Sequence, residues 1–396
     1  MIYKIKKAKN LLLEKNIDAW IIYDYECTND VLISFIGKKF LTRRLFLVIP
    51  KSEKPFIIAN ILDIVHLNTD DIKLNFEIIT YRTWNELIET LNNKISGYKN
   101  VIMEISTYGT LPKSSYCDYG TVKLIEKFGI KVHSSADLLI HYTATYKDEA
   151  LKSQYRAMEI VSKIKDEAFS LIEKTLKQKQ RITEYDVTLF IVEQFKKHGL
   201  VFDSNPIVAV NKNAGNPHYE ASENISDEIK PGDLILIDLW AKEDVSYGVY
   251  ADITWMGYAG KNPPKEYIKL FEILKESIDN ALDFLNNNLP NRAVCGYEVD
   301  DVVRNTLKKY NYEKYLIHRV GHSISIDNSP HGKGTNIDNY ETHDERHIIN
   351  NTGFSIEPGI YTKEFGLREE IDVYIENNQA ICISPQQKQL ITMDIC

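Results

Sequence analysis

Leu234 to Ile237 form an unbroken aliphatic run that ends on Asp238. The next strand-like stretch, 248–257, carries Asp252 just before Ile253. A run like Leu234–Ile237 reads as a strand buried on both faces. A bare carboxylate there is costly, or takes up a proton. The fold must therefore compensate two aspartates set inside apolar strands.

Size and composition limit what that fold can be. The chain has 396 residues, 43% hydrophobic and 26% charged, which suits a globular protein of two or more domains. Its 48 basic and 56 acidic residues give a net charge of −8, with no basic block. That disfavours nucleic acid or an anionic membrane as the main partner. No apolar run approaches the roughly 18 residues of a membrane span. The N-terminal stretch has Ile2, Ile5, Ala8, Leu11 and Leu12 at helical spacing, an amphipathic helix rather than a signal peptide. Cysteines 27, 117, 295, 382 and 396 are odd in number and form no CxxC pair. A disulfide framework and a thiolate zinc site are therefore disfavoured, and a reducing, cytoplasmic setting is expected.

The first 143 residues alternate between short β-rich runs and helical patterns. Runs at 19–23, 44–50, 55–60, 76–81 and 101–105 read as strands, and 85–95 and 115–129 as helices. This is the pattern of an α/β domain, with no glycine-rich phosphate loop after any strand. Composition changes near Tyr142. Residues 147–179 read as one long charged helix. A second helix opens at Thr183 with Asp186 three residues on, a capping box, and stops at Gly199. A third opens with Asn262 as cap and Pro263 in first position, and a fourth spans 297–310. Strand-like runs at 206–210, 234–240, 248–257, 354–361 and 368–375 lie among them. Helices grouped around antiparallel strands predict an α+β domain over 144–396.

That second domain holds five groups with metal-ligand chemistry: Asp238, Asp252, His322, Glu357 and Glu370. Each alone has a bland reading. The aspartates suit caps, "GHS" and "EPG" suit turns, and Arg368, Glu369, Glu370 and Asp372 suit a solvated strand face. Together they form a pattern. A hairpin sets Asp238 and Asp252 on adjacent strands, and a second pair of strands carries Glu357 and Glu370. Four carboxylates within a few ångströms cannot all ionise unless cations neutralise them. Two divalent ions would do so, with one imidazole completing the shell. Oxygen-rich ligation with one histidine suits manganese, cobalt, zinc or iron. A two-metal site polarises a carbonyl and activates water, which points to amide hydrolysis. His218 and His331 follow prolines in polar loops where side chains point into clefts. His343 and His347 read as ordinary loop histidines.

At these residues the chain resembles the superfamily of methionine aminopeptidase, prolidase, aminopeptidase P and creatinase, with its pita-bread catalytic fold. The resemblance covers about 144 to the end, and the N-terminal part is similar to the creatinase-type domain of the prolidase and aminopeptidase P branch. It implies that Asp238 in "LILIDLW", Asp252 in "YADIT", His322 in "GHS", Glu357 in "IEPGIY" and Glu370 in "GLREEI" hold two metal ions, manganese first among the candidates. It implies substrate-side roles for His218 in "NPHY", His331 and His318, a proton-shuttling Glu357, and a homodimer. The substrate implied is a peptide cleaved before proline. This sequence departs from the pattern in the wide spacing of the aspartates, in a His331 two residues further on, and in Arg319 and Trp255. Two other readings stand beside the Xaa-Pro peptidase. One is a hydrolase or lyase of a small non-peptide substrate on the same scaffold, and the other is a non-catalytic binding module.

Overall fold

The computed structural model describes residues 1–395; Cys396 lies outside the described residues. The chain divides into two compact units, Met1–Tyr142 and Thr143–Cys396. The first is α/β. Its sheet comprises β1 (Ala19–Tyr25), β2 (Arg44–Pro50), β3 (Phe56–Asn60), β4 (Glu77–Tyr81), β5 (Asn100–Met103) and β6 (Lys131–Ser134), in the order β4-β3-β2-β1-β5-β6. The pairs β1–β2 and β2–β3 are antiparallel and the others parallel. Both faces are covered, so side chains alternate between two cores. Leu45, Leu47 and Ile49 of β2 join Ile5, Ala8 and Leu12 of the first helix, Ile2–Glu14. Phe46 and Val48 point the other way, toward Leu87, Leu91 and Ile95 of the helix Trp84–Ile95.

The second unit is α+β. Its main sheet joins β7 (Leu200–Val201), β8 (Ile207–Val210), β9 (Leu234–Glu243), β10 (Ala251–Tyr258) and a short last strand at Ile391–Thr392. The long helix Glu149–Lys177 packs Val161, Ile164, Ala168 and Ile172 against Ile235, Ile237 and Leu239 of β9. Leu234 and Leu236 point to the opposite face, toward the helices Lys265–Asn288 and Gly296–Lys309. By the same alternation Asp238 shares that opposite face. β9 and β10 are antiparallel, with Asp238 opposite Thr254 and Asp252 opposite Trp240. The two aspartates are therefore diagonal neighbours on one face rather than a directly opposed pair.

Two expected strands each break in the middle. The stretch 354–361 divides into β11 (Gly353–Ile356) and β12 (Gly359–Tyr361), and 368–375 into β13 (Gly366–Arg368) and β14 (Ile371–Glu376). β11 pairs β14 and β12 pairs β13, in separate sheets. Pro358 has no N–H to give a ladder, so the chain leaves the sheet at Glu357–Pro358. Glu369 and Glu370 fill the opposing gap, with the Glu370 N–H donating to the Thr254 carbonyl at 3.3 Å. β14 continues into a β15 (Gln379–Cys382) hairpin.

Helix starts follow their chemistry with two corrections. The Thr183–Asp186 capping box is present, and Gly199 takes φ 69° just past the helix end. The helix expected at Pro263 instead begins at Lys265. Pro264 restricts Pro263 to extended geometry, so Pro263 cannot open a helix. The helix expected over 115–129 spans only Tyr119–Lys127, because the Asp118 side chain accepts from the Thr121 N–H and sets its start.

Gly321, next to His322, has no room for a side chain, since a Cβ there would clash with the Ser355 carbonyl. Gly321→Ala should therefore destabilise the protein by about 1–3 kcal/mol in urea unfolding, as overpacking does. Gly97→Ala meets nothing within 4 Å and should stay within about 0.5 kcal/mol of the parent. Equal stability of the two variants would contradict the packing described for Gly321.

Candidate metal centre

The two strand breaks and the β9–β10 pair converge on a cavity of about 270 Å³. Asp238, Asp252, His322, Glu357 and Glu370 all line it. Asp252, His322 and Glu370 are buried, and each offers a ligand atom within 4.8 Å of the other two. His322 Nε2 lies 3.6 Å from Asp252 Oδ2 and 3.6 Å from Glu357 Oε1. His322 Nδ1 is 3.2 Å from the Ser323 carbonyl oxygen. A proton on Nδ1 serves that carbonyl, so the Nε2 lone pair is left facing carboxylates. A ligating histidine is fixed in the same way.

Asp238 is held differently. Its Oδ2 accepts from Arg368 Nη2, while Oδ1 is buried without a partner. Arg368 is itself buried, and each of its guanidinium nitrogens is bonded. Its Nε donates to Thr254 Oγ1 at 3.1 Å and its Nη1 to the Tyr361 hydroxyl at 3.0 Å. Thr254 Oγ1 in turn donates to Glu370 Oε2 at 2.8 Å. One guanidinium thus orients Asp238, Glu370 and Tyr361 together. Glu357 Oε1 accepts from Ser355 Oγ at 3.2 Å, and the same hydroxyl accepts from the His322 N–H at 3.0 Å. Behind Asp252, the buried Asp372 accepts its N–H at 3.1 Å and is also held by Gln154 Nε2 at 3.3 Å.

The cluster is short of positive charge. Burial, then the charges of Asp238, Asp372 and Glu357, push Asp252 well above the usual carboxylate range. Burial, then Asp252 and Glu357, does the same to Glu370. Burial raises Glu357 to about 7, although Arg368 opposes it. Asp238 is raised by burial despite its guanidinium partner. The donor set therefore fits divalent cations. It has oxygen-rich ligands with one imidazole, and it has a buried carboxylate oxygen, Asp238 Oδ1, with nothing to bond.

The three other histidines also line the cavity. His331 packs on His322 with ring centroids 4.1 Å apart. His218 sits on an exposed loop whose N–H donates to Asn216 Oδ1 at 3.1 Å. His318 Nδ1 is 2.6 Å from the Arg319 carbonyl oxygen and Nε2 is 2.8 Å from the Tyr361 hydroxyl. Burial and Arg368 hold its pKa at about 3, so His318 is neutral. With Nδ1 protonated, Nε2 accepts from Tyr361. Arg368, Tyr361 and Asp372 were not singled out as site residues by sequence. The bland solvated-face reading of 368–372 is wrong, since Arg368, Glu369, Glu370 and Asp372 are all buried. Arg368 stands two residues before Glu370 in "GLREE", a charged residue next to an apolar strand, which is the signal that marks it.

Residues 156–377 match metallopeptidase family M24. A putative Xaa-Pro aminopeptidase of Mycoplasma pneumoniae (strain ATCC 29342 / M129 / Subtype 1) is 29% identical over 51% of this chain and 53% of its own length. The chain thus spans about half the length of that relative. An Xaa-Pro dipeptidase of Pyrococcus furiosus is 26% identical over 79% of this chain and 80% of its own. In fold, the chain is similar to the crystal structure of dipeptidase PepE from Mycobacterium ulcerans, with TM-score 0.63 and 19% identity. That likeness covers 100% of this chain and 98% of the other, so it takes in the α/β unit as well as the pita-bread unit. Among the described residues no helix is long and apolar enough to cross a membrane.

The raised carboxylates set a pH dependence. A carboxyl whose folded pKa lies above its unfolded value stabilises the fold at low pH and loses that contribution as pH rises through the folded pKa. For Glu357 the window runs from the ordinary 4.5 to about 7. Metal-stripped protein should therefore melt at a lower temperature at pH 8 than at pH 5. Manganese should raise the melting temperature more at pH 8, where protons no longer compete for the carboxylates. A manganese shift of equal size at both pH values would argue that these carboxylates do not bind the ion.

Proposed function

This chain belongs to metallopeptidase family M24, and from that premise we propose that it hydrolyses the bond before proline in Xaa-Pro dipeptides or peptides, using two divalent ions. The observation that carries the reading is the convergence of five ligand-type side chains on one cavity, with a buried carboxylate oxygen left unbonded. Asp238, Asp252, His322, Glu357 and Glu370 would hold the ions. When bound, such ions polarise a scissile carbonyl and acidify water. Oxygen ligands with one imidazole and no thiolate suit manganese first, then cobalt, zinc or iron.

The rest of the chemistry falls to this chain's own groups. Glu357 is half-buried with one oxygen on Ser355, so its other oxygen is free to take a proton from water and pass it to the departing nitrogen. Tyr361 is held by Arg368 and bonded to His318, which gives a neutral, oriented polar wall beside the reacting bond. His218 and His331 face the substrate from two loops of the cavity wall. A bond before proline has no N–H, so recognition there rests on such side chains rather than on a backbone donor. The reading includes a homodimer, which light scattering tests. It also includes a cytoplasmic setting, which cell fractionation tests.

Reconstituted protein should bind close to two manganese ions per chain by elemental analysis, and Asp252→Ala should lose most of that. Unchanged stoichiometry in the variant would remove Asp252 from the ligand set. Ala-Pro substrates should be cleaved faster than Met-Ala, and the reverse order would count against proline specificity. Glu357→Gln keeps an oxygen ligand and cannot take the proton. It should retain at least one ion per chain and lose about 10²–10⁴-fold in turnover. Activity within about threefold of the parent, with metal confirmed, would assign the proton to another group.

A further inference from the structure

The cavity is crowded with acids. Besides the four ligand carboxylates it is lined by Asp203, Glu220 and Glu341. Among its described lining residues only Arg368 and Arg319 carry a permanent positive charge. Each guanidinium nitrogen of Arg368, Nε, Nη1 and Nη2, is already bonded within the carboxylate cluster. Arg319 is different. Its Nη1 donates to Glu341 Oε2 at 3.2 Å and its backbone N–H to Glu341 Oε1 at 3.1 Å. No protein partner among the described residues takes its Nε or Nη2. Those two nitrogens share one edge of the guanidinium. It is the edge that Arg156 presents to the Glu243 carboxylate in this same fold, at 2.8 and 2.7 Å. That edge matches a carboxylate in a bidentate fork.

Its position is suitable as well. Arg319 directly follows His318 and lines the same cavity. Its charge reaches both His318 and Glu357, favouring loss of a proton from each. The open edge of Arg319 thus lies in the field of the group expected to meet the departing nitrogen. In a dipeptide cleaved before its second residue, a free carboxylate sits on the same residue as that nitrogen, one Cα away. In a longer peptide the same place holds a neutral amide, which leaves the guanidinium uncompensated.

We propose that Arg319 receives the free carboxylate of the substrate and makes the protein a dipeptidase rather than an aminopeptidase of longer chains. The proposal rests on the Xaa-Pro reading above and names the substrate class within it. The chemistry of the bound group is a planar carboxylate, held by the Nε–Nη2 edge while Glu341 keeps the other side of the side chain in place.

The test compares Ala-Pro, Ala-Pro-amide and Ala-Pro-Ala on the manganese-loaded full chain, for the parent and for Arg319→Gln. The parent should prefer Ala-Pro over the other two by about 10–100-fold in kcat/KM, the size of one charge-assisted contact. In Arg319→Gln that ratio should collapse toward one, through a raised KM for Ala-Pro. A parent that cleaves the amide or tripeptide as well as the dipeptide would overturn the proposal. So would a variant that slows all three substrates equally. If none of the three is cleaved, the peptidase reading has failed, and calorimetry then tests Arg319 by itself. Proline binding that exceeds prolinamide binding in the parent only would support the proposal. Equal binding of the two ligands by the parent would end it.

Discussion

The second unit, Thr143–Cys396, is organised around a surplus of buried negative charge. Asp238, Asp252, Glu370 and Asp372 are buried, with half-buried Glu357 beside them, and a single guanidinium, Arg368, stands among them. An isolated carboxylate in an apolar interior is costly enough that it normally protonates instead. Arg368 offsets part of that cost by charge and holds Asp238, Thr254 and Tyr361 in fixed orientation. It cannot offset all of it, which is why Asp252 and Glu370 remain shifted upward. The remaining deficit is one that divalent cations would neutralise.

The surrounding fold is what holds these like charges together. β9 and β10 are buried against the helix Glu149–Lys177 on one side, and their alternation leaves Asp238, Thr254 and Asp252 on the other. The two strand breaks do the rest. By leaving the ladder at Pro358 and at Glu369–Glu370, the chain frees two glutamates to reach the same point from a second pair of sheets. Close approach of backbone at Gly321 brings His322 against Ser355 and Glu357. The packing of the strands and the geometry of the site are therefore a single constraint.

Much of this was legible in the sequence, for physical reasons that differ by residue. Asp238 stood out because an aliphatic run of four residues does not accept a carboxylate without compensation. Thr183 and Asp186 marked a helix start because capping is local chemistry. The diagonal register of the aspartates was not legible, since it depends on how residues 244–250 turn. Nor were the breaks in 354–361 and 368–375, which arise from pairing with two different sheets. Arg368 and Asp372 were hidden for the opposite reason. Charged residues at 368, 369, 370 and 372 look like a solvated edge until the third dimension buries them. The start of the helix at Lys265 was missed because two prolines in a row act on each other.

The account stands on the claim that five side chains from separate strands and loops share two cations. Anomalous diffraction at the manganese edge, from crystals of the manganese-loaded protein, addresses that claim directly. Two anomalous peaks roughly 3.5–4 Å apart are expected. They should be enclosed by Asp238, Asp252, His322, Glu357 and Glu370, with Asp238 Oδ1 turned to one of them. A single peak, or peaks bounded by other residues with Asp238 still paired only to Arg368, would contradict it.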